Sequence, residues 1–86
     1  MHYTYMLRCG DQSLYTGYTN RLEYRVKMHQ EGKGAKYTRG RGPVKLVYVE
    51  GFESKSDALM REYEIKQLPK HVKEKLVEEY NRKKIK

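Results

Sequence analysis

The 86-residue chain has little of several residue types on which small proteins often depend. It contains one cysteine, two prolines, one phenylalanine and no tryptophan. The single Cys9 excludes an internal disulfide and a cysteine-rich metal site. No signal peptide precedes the first predicted strand, so we expect a reducing, cytoplasmic setting. No apolar run is long enough to cross a bilayer, and the sequence predicts no membrane partner.

Positive charge and tyrosine are abundant instead. Nineteen Lys and Arg stand against eleven Asp and Glu, which gives a formal net charge of +8, and nine tyrosines supply most of the aromatic area. This charge favours a polyanionic partner such as nucleic acid. A chain of this length supports one small core, so we expect a single domain over residues 1–81 and a basic tail at 82–86.

The N-terminal residues predict a β-hairpin. Residues 3–8 alternate with the period of two that is typical of a strand, and turn-forming residues follow at 10–13. Residues 14–19 are again rich in aromatic and β-branched side chains. Gly17 within this second run allows another backbone or a ligand to come close.

A helix is predicted from about residue 21, with Thr19 or Asn20 as its N-cap. Its sheet-facing stripe includes two polar groups that can carry positive charge. The stripe consists of Leu22, Arg25, Val26 and His29.

Residues 31–43 are rich in glycine and in cations and predict a loop. The cations and one aromatic ring suit contact with phosphates and with a base. These candidate nucleic-acid-binding residues are Lys33, Lys36, Tyr37, Arg39 and Arg41. The alternative is a solvated connector without a binding role.

The second half of the chain predicts a strand and two helices. Residues 44–50 form a strand that we expect at the centre of the sheet. Ser54 or Ser56 caps a helix that ends near Leu68, before Pro69. A last helix over residues 70–81 is expected to bury Val72, Leu76 and Tyr80.

Glu62 is the unusual residue of the first of these helices. It falls in one stripe with Ala58, Leu59, Ile65 and Lys66. A carboxylate within such a stripe has to be paired, hydrogen-bonded or bound to a metal, because an isolated buried charge is costly. The element order predicts an α/β fold with a small three-stranded, mainly antiparallel sheet flanked by helices.

The order and spacing of these residues resemble the GIY-YIG nuclease domain, and the whole chain resembles the short stand-alone bacterial members of that superfamily. The matching positions are Tyr5, the run Tyr15-Thr16-Gly17, Arg25, His29 and Glu62. The sequence departs from the family pattern in having Tyr3-Thr4-Tyr5 at the first motif and Thr16 in the second. An asparagine that is often found after the glutamate has only Asn81 as a downstream candidate.

The resemblance implies an endonuclease that hydrolyses DNA with Mg²⁺ or Mn²⁺. Glu62 would hold the metal, Arg25 would grip the scissile phosphate, and Tyr5 and Tyr15 would orient or deprotonate the attacking water. His29 would orient a phosphate or shuttle a proton. A nearby metal and Arg25 would together lower the pKa of a phenol from its usual value of about 10 toward a useful range.

Two alternatives remain open at this point. Arg25 and Glu62 could pair across the core without any metal. The chain could also be a module that has the same fold and binds DNA or RNA without cleaving it. The sequence leaves the oligomeric state open.

Overall fold

A computed structural model describes residues 1–84. The elements follow in the order β1 (His2–Arg8), β2 (Leu14–Thr19), α1 (Leu22–Gln30), a short 3₁₀ helix (Lys36–Thr38), β3 (Lys45–Phe52), α2 (Lys55–Gln67) and α3 (Lys70–Lys84). Helix α3 extends past Asn81, so the first three residues of the predicted tail are helical. Ile85 and Lys86 lie outside the described residues.

The sheet has the strand order β2-β1-β3, and both pairs of neighbours are antiparallel. This confirms the predicted α/β class with an antiparallel sheet. The expectation that residues 44–50 form the central strand was wrong, because β1 lies between the other two. Residues 4–7 of β1 are all at most 1% exposed, so both faces of this strand are covered.

Helices α2 and α3 cover one face of the sheet. Met6 of β1 and Tyr48 of β3 pack there with Ile65 of α2 and Val77 of α3. The buried residue of α3 is therefore Val77, whereas the expected Val72, Leu76 and Tyr80 are only partly buried. The predicted cap and stop of α2 are confirmed: the Ser54 hydroxyl accepts the Asp57 N–H at 3.3 Å, and α2 ends before Pro69.

Helix α1 begins one residue later than its predicted cap allows. Thr19 is still paired with Tyr3 in the sheet, so the chain uses Asn20 and Arg21 to turn into the helix. Arg21 occupies the N-cap without a side-chain cap bond, and the Thr19 hydroxyl accepts the Arg21 N–H at 3.0 Å. Across residues 1–84, none of the helices has the length and apolar content needed to span a membrane.

Candidate functional site

The site is built around a hydrogen bond between Tyr5 and His29. Tyr5 extends from the middle strand across Gly17, to which it is paired in register on β2. A Cβ at Gly17 would lie 2.5 Å from the Tyr5 hydroxyl oxygen, so the glycine makes room for this ring. The Tyr5 Oη lies 2.9 Å from His29 Nε2 on α1, and both residues are 1% exposed.

Thr38, in the 3₁₀ helix, holds the other nitrogen of His29. The Thr38 Oγ1 lies 2.8 Å from His29 Nδ1 and donates its proton to the Ala35 carbonyl oxygen at 3.0 Å. A hydroxyl has one proton, so we assign the imidazole proton to Nδ1, which donates to Thr38 Oγ1, and Nε2 then accepts the Tyr5 proton. This assignment is consistent with three well-formed hydrogen bonds: Tyr5 to Nε2, Nδ1 to Thr38, and Thr38 to the Ala35 carbonyl oxygen. The contact that it leaves without a hydrogen bond is the long one from the Ala35 N–H to Nδ1, at 3.4 Å.

Gly34 and Thr38 are site residues that the sequence analysis missed. A Cβ at Gly34 would lie 2.7 Å from His29 Cγ, so only glycine lets the loop lie against the imidazole ring. Both residues lie within residues 31–43, which were predicted to form a loop that contacts phosphates through its cations. Their role depends on how the loop folds back over α1, which a single sequence does not reveal.

Burial keeps both members of the Tyr5–His29 pair neutral. Burial, followed by the nearby Tyr15, raises the pKa of Tyr5 to about 12; Arg25 acts in the opposite direction, and Glu62 raises the value further. Burial, followed by the positive charge of Arg25, lowers the pKa of His29 to about 4. Arg25 thus acts on Tyr5 as expected, but burial outweighs it and the phenol pKa is raised rather than lowered.

Tyr15 joins this pair to the predicted loop of residues 31–43, which we call the binding loop. Its ring centroid is 5.2 Å from that of His29 and 5.8 Å from that of Tyr37, with which it is stacked. The Arg41 guanidinium lies 4.3 Å from the Tyr37 ring centroid and forms a 2.6 Å ion pair with Asp11 in the hairpin turn. Arg41 therefore anchors the loop to the hairpin.

The other three predicted loop cations face solvent. Lys33, Lys36 and Arg39 are exposed, and none of them forms an ion pair within the part of the chain that the structure describes. They are available for contact with phosphates next to the rings of Tyr5 and Tyr15, which we call the tyrosine cluster.

Glu62 lies at the edge of the buried face of α2, with 18% of its side chain exposed. Its ion-pair partner within residues 1–84 is Lys66, one turn further along, at 3.0 Å. The alternative of an Arg25–Glu62 ion pair across the core was therefore wrong. Glu62 nevertheless contributes, as the smallest of several causes, to the raised pKa of Tyr5, so its charge acts on the Tyr5 hydroxyl.

No group of three or more His, Cys, Asp or Glu side chains suited to a metal occurs in residues 1–84. Glu62 would have to act as a single protein ligand. Mg²⁺ accepts such a site, because it is commonly held by one or two carboxylates, with water and substrate phosphates completing its shell.

An antiparallel sheet whose hairpin tyrosines meet an arginine and a histidine of the next helix, with a glutamate on a later helix, defines a GIY-YIG-type domain. Residues 1–76 match the family model described as the GIY-YIG catalytic domain. The chain belongs to the GIY-YIG family.

Short proteins of similar size are its relatives. The chain is 65% identical over 77 residues to the UPF0213 protein OB0043 of Oceanobacillus iheyensis, covering 90% of each chain. It is 59% identical over 76 residues to the UPF0213 protein NP_0776A of Natronomonas pharaonis, covering 88% of this chain and 89% of the relative.

Two solution NMR structures share the fold. The UPF0213 protein BH0048 from Bacillus halodurans has 55% identity and a TM-score of 0.60, over 90% of this chain and 82% of that one. The protein EF2693 from E. faecalis has 40% identity and a TM-score of 0.62, over 93% and 85%.

Proposed function

We propose that this protein is an endonuclease that hydrolyses DNA phosphodiester bonds with the help of a divalent metal ion, Mg²⁺ or Mn²⁺. The observation that carries the proposal is the buried chain of hydrogen bonds from Tyr5 through His29 to Thr38, with Arg25 close enough to influence both ionisable groups. A buried tyrosine hydroxyl needs an acceptor. A histidine acceptor can in addition take up the proton that the hydroxyl donates, which an amide or a backbone carbonyl cannot do.

In the proposed reaction the attacking water donates a hydrogen bond to the Tyr5 oxygen. As the new bond between the water oxygen and phosphorus forms, the water proton passes to Tyr5, and Tyr5 gives its own proton to His29 Nε2. The bond from phosphorus to the leaving oxygen breaks, and that oxygen later takes up a proton. Tyr5 thus relays a proton without existing as a free phenolate.

Substrate binding makes this relay feasible. Protonating His29 at pH 7, three pH units above a pKa of about 4, costs about 4 kcal/mol. Part of that cost comes from the positive charge of Arg25. A phosphate bound to Arg25 neutralises that charge, so the pKa of His29 rises when substrate arrives.

Glu62 is the proposed metal ligand. A bound ion would neutralise charge that develops on the phosphoryl and leaving oxygens. To bind it, Glu62 must release Lys66, whose ammonium group is half-exposed and can return to water. The carboxylate is therefore held in place without being committed to a strong partner.

The binding loop is proposed to dock the DNA. Lys33, Lys36 and Arg39 contact phosphates, whereas Tyr37 and Arg41 extend the tyrosine cluster toward the substrate. A domain of this size has little surface with which to read a long sequence, which favours selection of DNA by structure.

The test is a cleavage assay on single-stranded, duplex, flapped and branched DNA with Mg²⁺, Mn²⁺ or a chelator. Cleavage that requires the metal supports the endonuclease. Binding without cleavage under every condition overturns it and supports the alternative, a nucleic-acid-binding module with the same fold.

A further inference from the structure

The outer side of α2 exposes apolar residues next to one another. The exposed fractions are 40% for Leu59, 62% for Met60 and 68% for Tyr63. At 3.6 residues per turn Met60 and Tyr63 lie about 150° from the mean direction of the fully buried Ala58 and Ile65. Leu59, which was predicted to share a stripe with those two residues, lies about 110° from that direction and is 40% exposed. Neighbouring apolar side chains of this size, away from the core, are typical of an interaction surface.

Charged residues of opposite sign bound this surface. One shallow cleft, which we call the α2 outer face, is lined by Lys55, Ser56, Leu59, Met60, Tyr63 and Glu64. The order of side chains along this face is self-complementary: each side chain meets a suitable partner when α2 is set against an antiparallel copy of itself. Reversal brings Lys55 opposite Glu64, the small Ser56 opposite the large Tyr63, and Leu59 opposite Met60.

We propose that a second copy of this chain docks on the α2 outer face, with the two α2 helices antiparallel about a two-fold axis between Leu59 and Met60. Each contact then occurs twice, as in any isologous interface. Two ion pairs between Lys55 and Glu64 close the ends, and each Tyr63 ring covers a Ser56. A parallel alignment is disfavoured because it opposes like charges.

Neither end residue is strongly held within its own chain. The Glu64 side chain is 62% exposed and its contact with Arg61 is 3.4 Å long. The Lys55 Nζ lies 5.9 Å from the Tyr18 ring centroid, which is a distant cation–π contact. Both groups can turn toward a second copy at small cost.

The proposed dimer is weak and reversible. A standard interface buries about 800 Å² per partner, and one face of a 13-residue helix offers less than that. Sedimentation equilibrium should show a mass that rises from 10.3 kDa toward twice that value as the concentration approaches about 1 mM. A mass that stays at 10.3 kDa up to that concentration overturns the proposal.

Charge reversal tests the register. Lys55→Glu and Glu64→Lys should each remove the concentration dependence, because each places like charges at both ends. Mixing the two single variants should restore association as a heterodimer, since one presents two carboxylates and the other two ammonium groups. Failure to recover on mixing contradicts the antiparallel pairing. Tyr24→Glu, at a half-exposed tyrosine of α1, is the matched control and should associate like the unmodified chain.

Discussion

Replacement of Thr38 by valine removes one hydroxyl from the centre of the site and keeps the shape of the side chain. His29 Nδ1–H then loses its acceptor, whereas the Ala35 carbonyl oxygen loses the hydroxyl donor but keeps the backbone N–H of residue 38, at 3.1 Å. Both Thr38 and His29 are at most 2% exposed, so water does not readily replace the lost partner. A buried polar group left unpaired costs about 1–3 kcal/mol, which should appear as lower stability to urea.

The same substitution should change the tautomer of His29. Without the Thr38 hydroxyl, the hydrogen-bond partner that Nδ1 keeps within residues 1–84 is the Ala35 N–H at 3.4 Å, which requires Nδ1 to accept. The proton then moves to Nε2, and Tyr5 loses the acceptor for its own proton. Loss of a general base of this kind lowers a rate by about 10²–10⁴-fold, so cleavage should fall by that order.

Two controls separate positioning from stability. Thr38→Ser keeps the hydroxyl and should retain the tautomer and most of the cleavage rate. Thr16→Val makes the same change at a buried hydroxyl that has no hydrogen-bond partner within the described residues, and should leave stability unchanged or raised. The tautomer is measured by ¹⁵N NMR of the imidazole. A Thr38→Val protein with the original tautomer and cleavage rate refutes the relay.

Three further predictions concern pH, salt and the ion pair that anchors the loop. The pKa of His29 is about 4 in the folded protein and 6.5 in the unfolded chain, so the unfolded chain binds more protons between these two pH values. The free energy of unfolding should therefore fall by about 3 kcal/mol as the pH drops from 6.5 to 4. Urea unfolding at several pH values should show this fall in the unmodified chain, and His29→Gln should lack the contribution of His29. Equal falls in the two proteins contradict the assignment of this pH dependence to His29. Replacing Lys33, Lys36 and Arg39 together by alanine should flatten the slope of log K against log salt by about 2–3, and an unchanged slope rules out the loop as the docking surface. Asp11→Ala and Arg41→Ala change the net charge in opposite directions, yet both should slow cleavage because both break the Asp11–Arg41 ion pair that anchors the loop. Opposite effects of the two substitutions on the cleavage rate would mean that Arg41 acts only through its charge.

Local patterns were sufficient to predict the elements and part of the site. The period of two in residues 3–8, the caps at Ser54 and the proline at 69 depend on neighbouring residues alone, and the structure has these elements. Tyr5 and His29 were correctly grouped because a strand and a helix present them at fixed intervals.

Features that depend on the path of the chain through space were not predictable in this way. The buried β1 contains tyrosine and threonine and therefore does not look like a central strand, whereas residues 44–50 do. The contact of Thr38 with His29 spans a loop whose course its composition does not specify. The Glu62–Lys66 pair, by contrast, has i,i+4 spacing and could have been preferred over the cross-core pair with Arg25 from the sequence alone.

The most direct test of the account is a comparison of Glu62→Gln with the unmodified chain for cleavage, DNA binding and melting temperature in the presence of Mg²⁺ or Mn²⁺. Lys66, the ion-pair partner of Glu62, has 49% of its side chain exposed and stays hydrated when its partner is neutral, so the melting temperature should hardly change. Binding at low salt should persist or tighten slightly because a negative charge is lost. Metal-dependent cleavage should fall by orders of magnitude, and a rate equal to that of the unmodified chain would contradict the account.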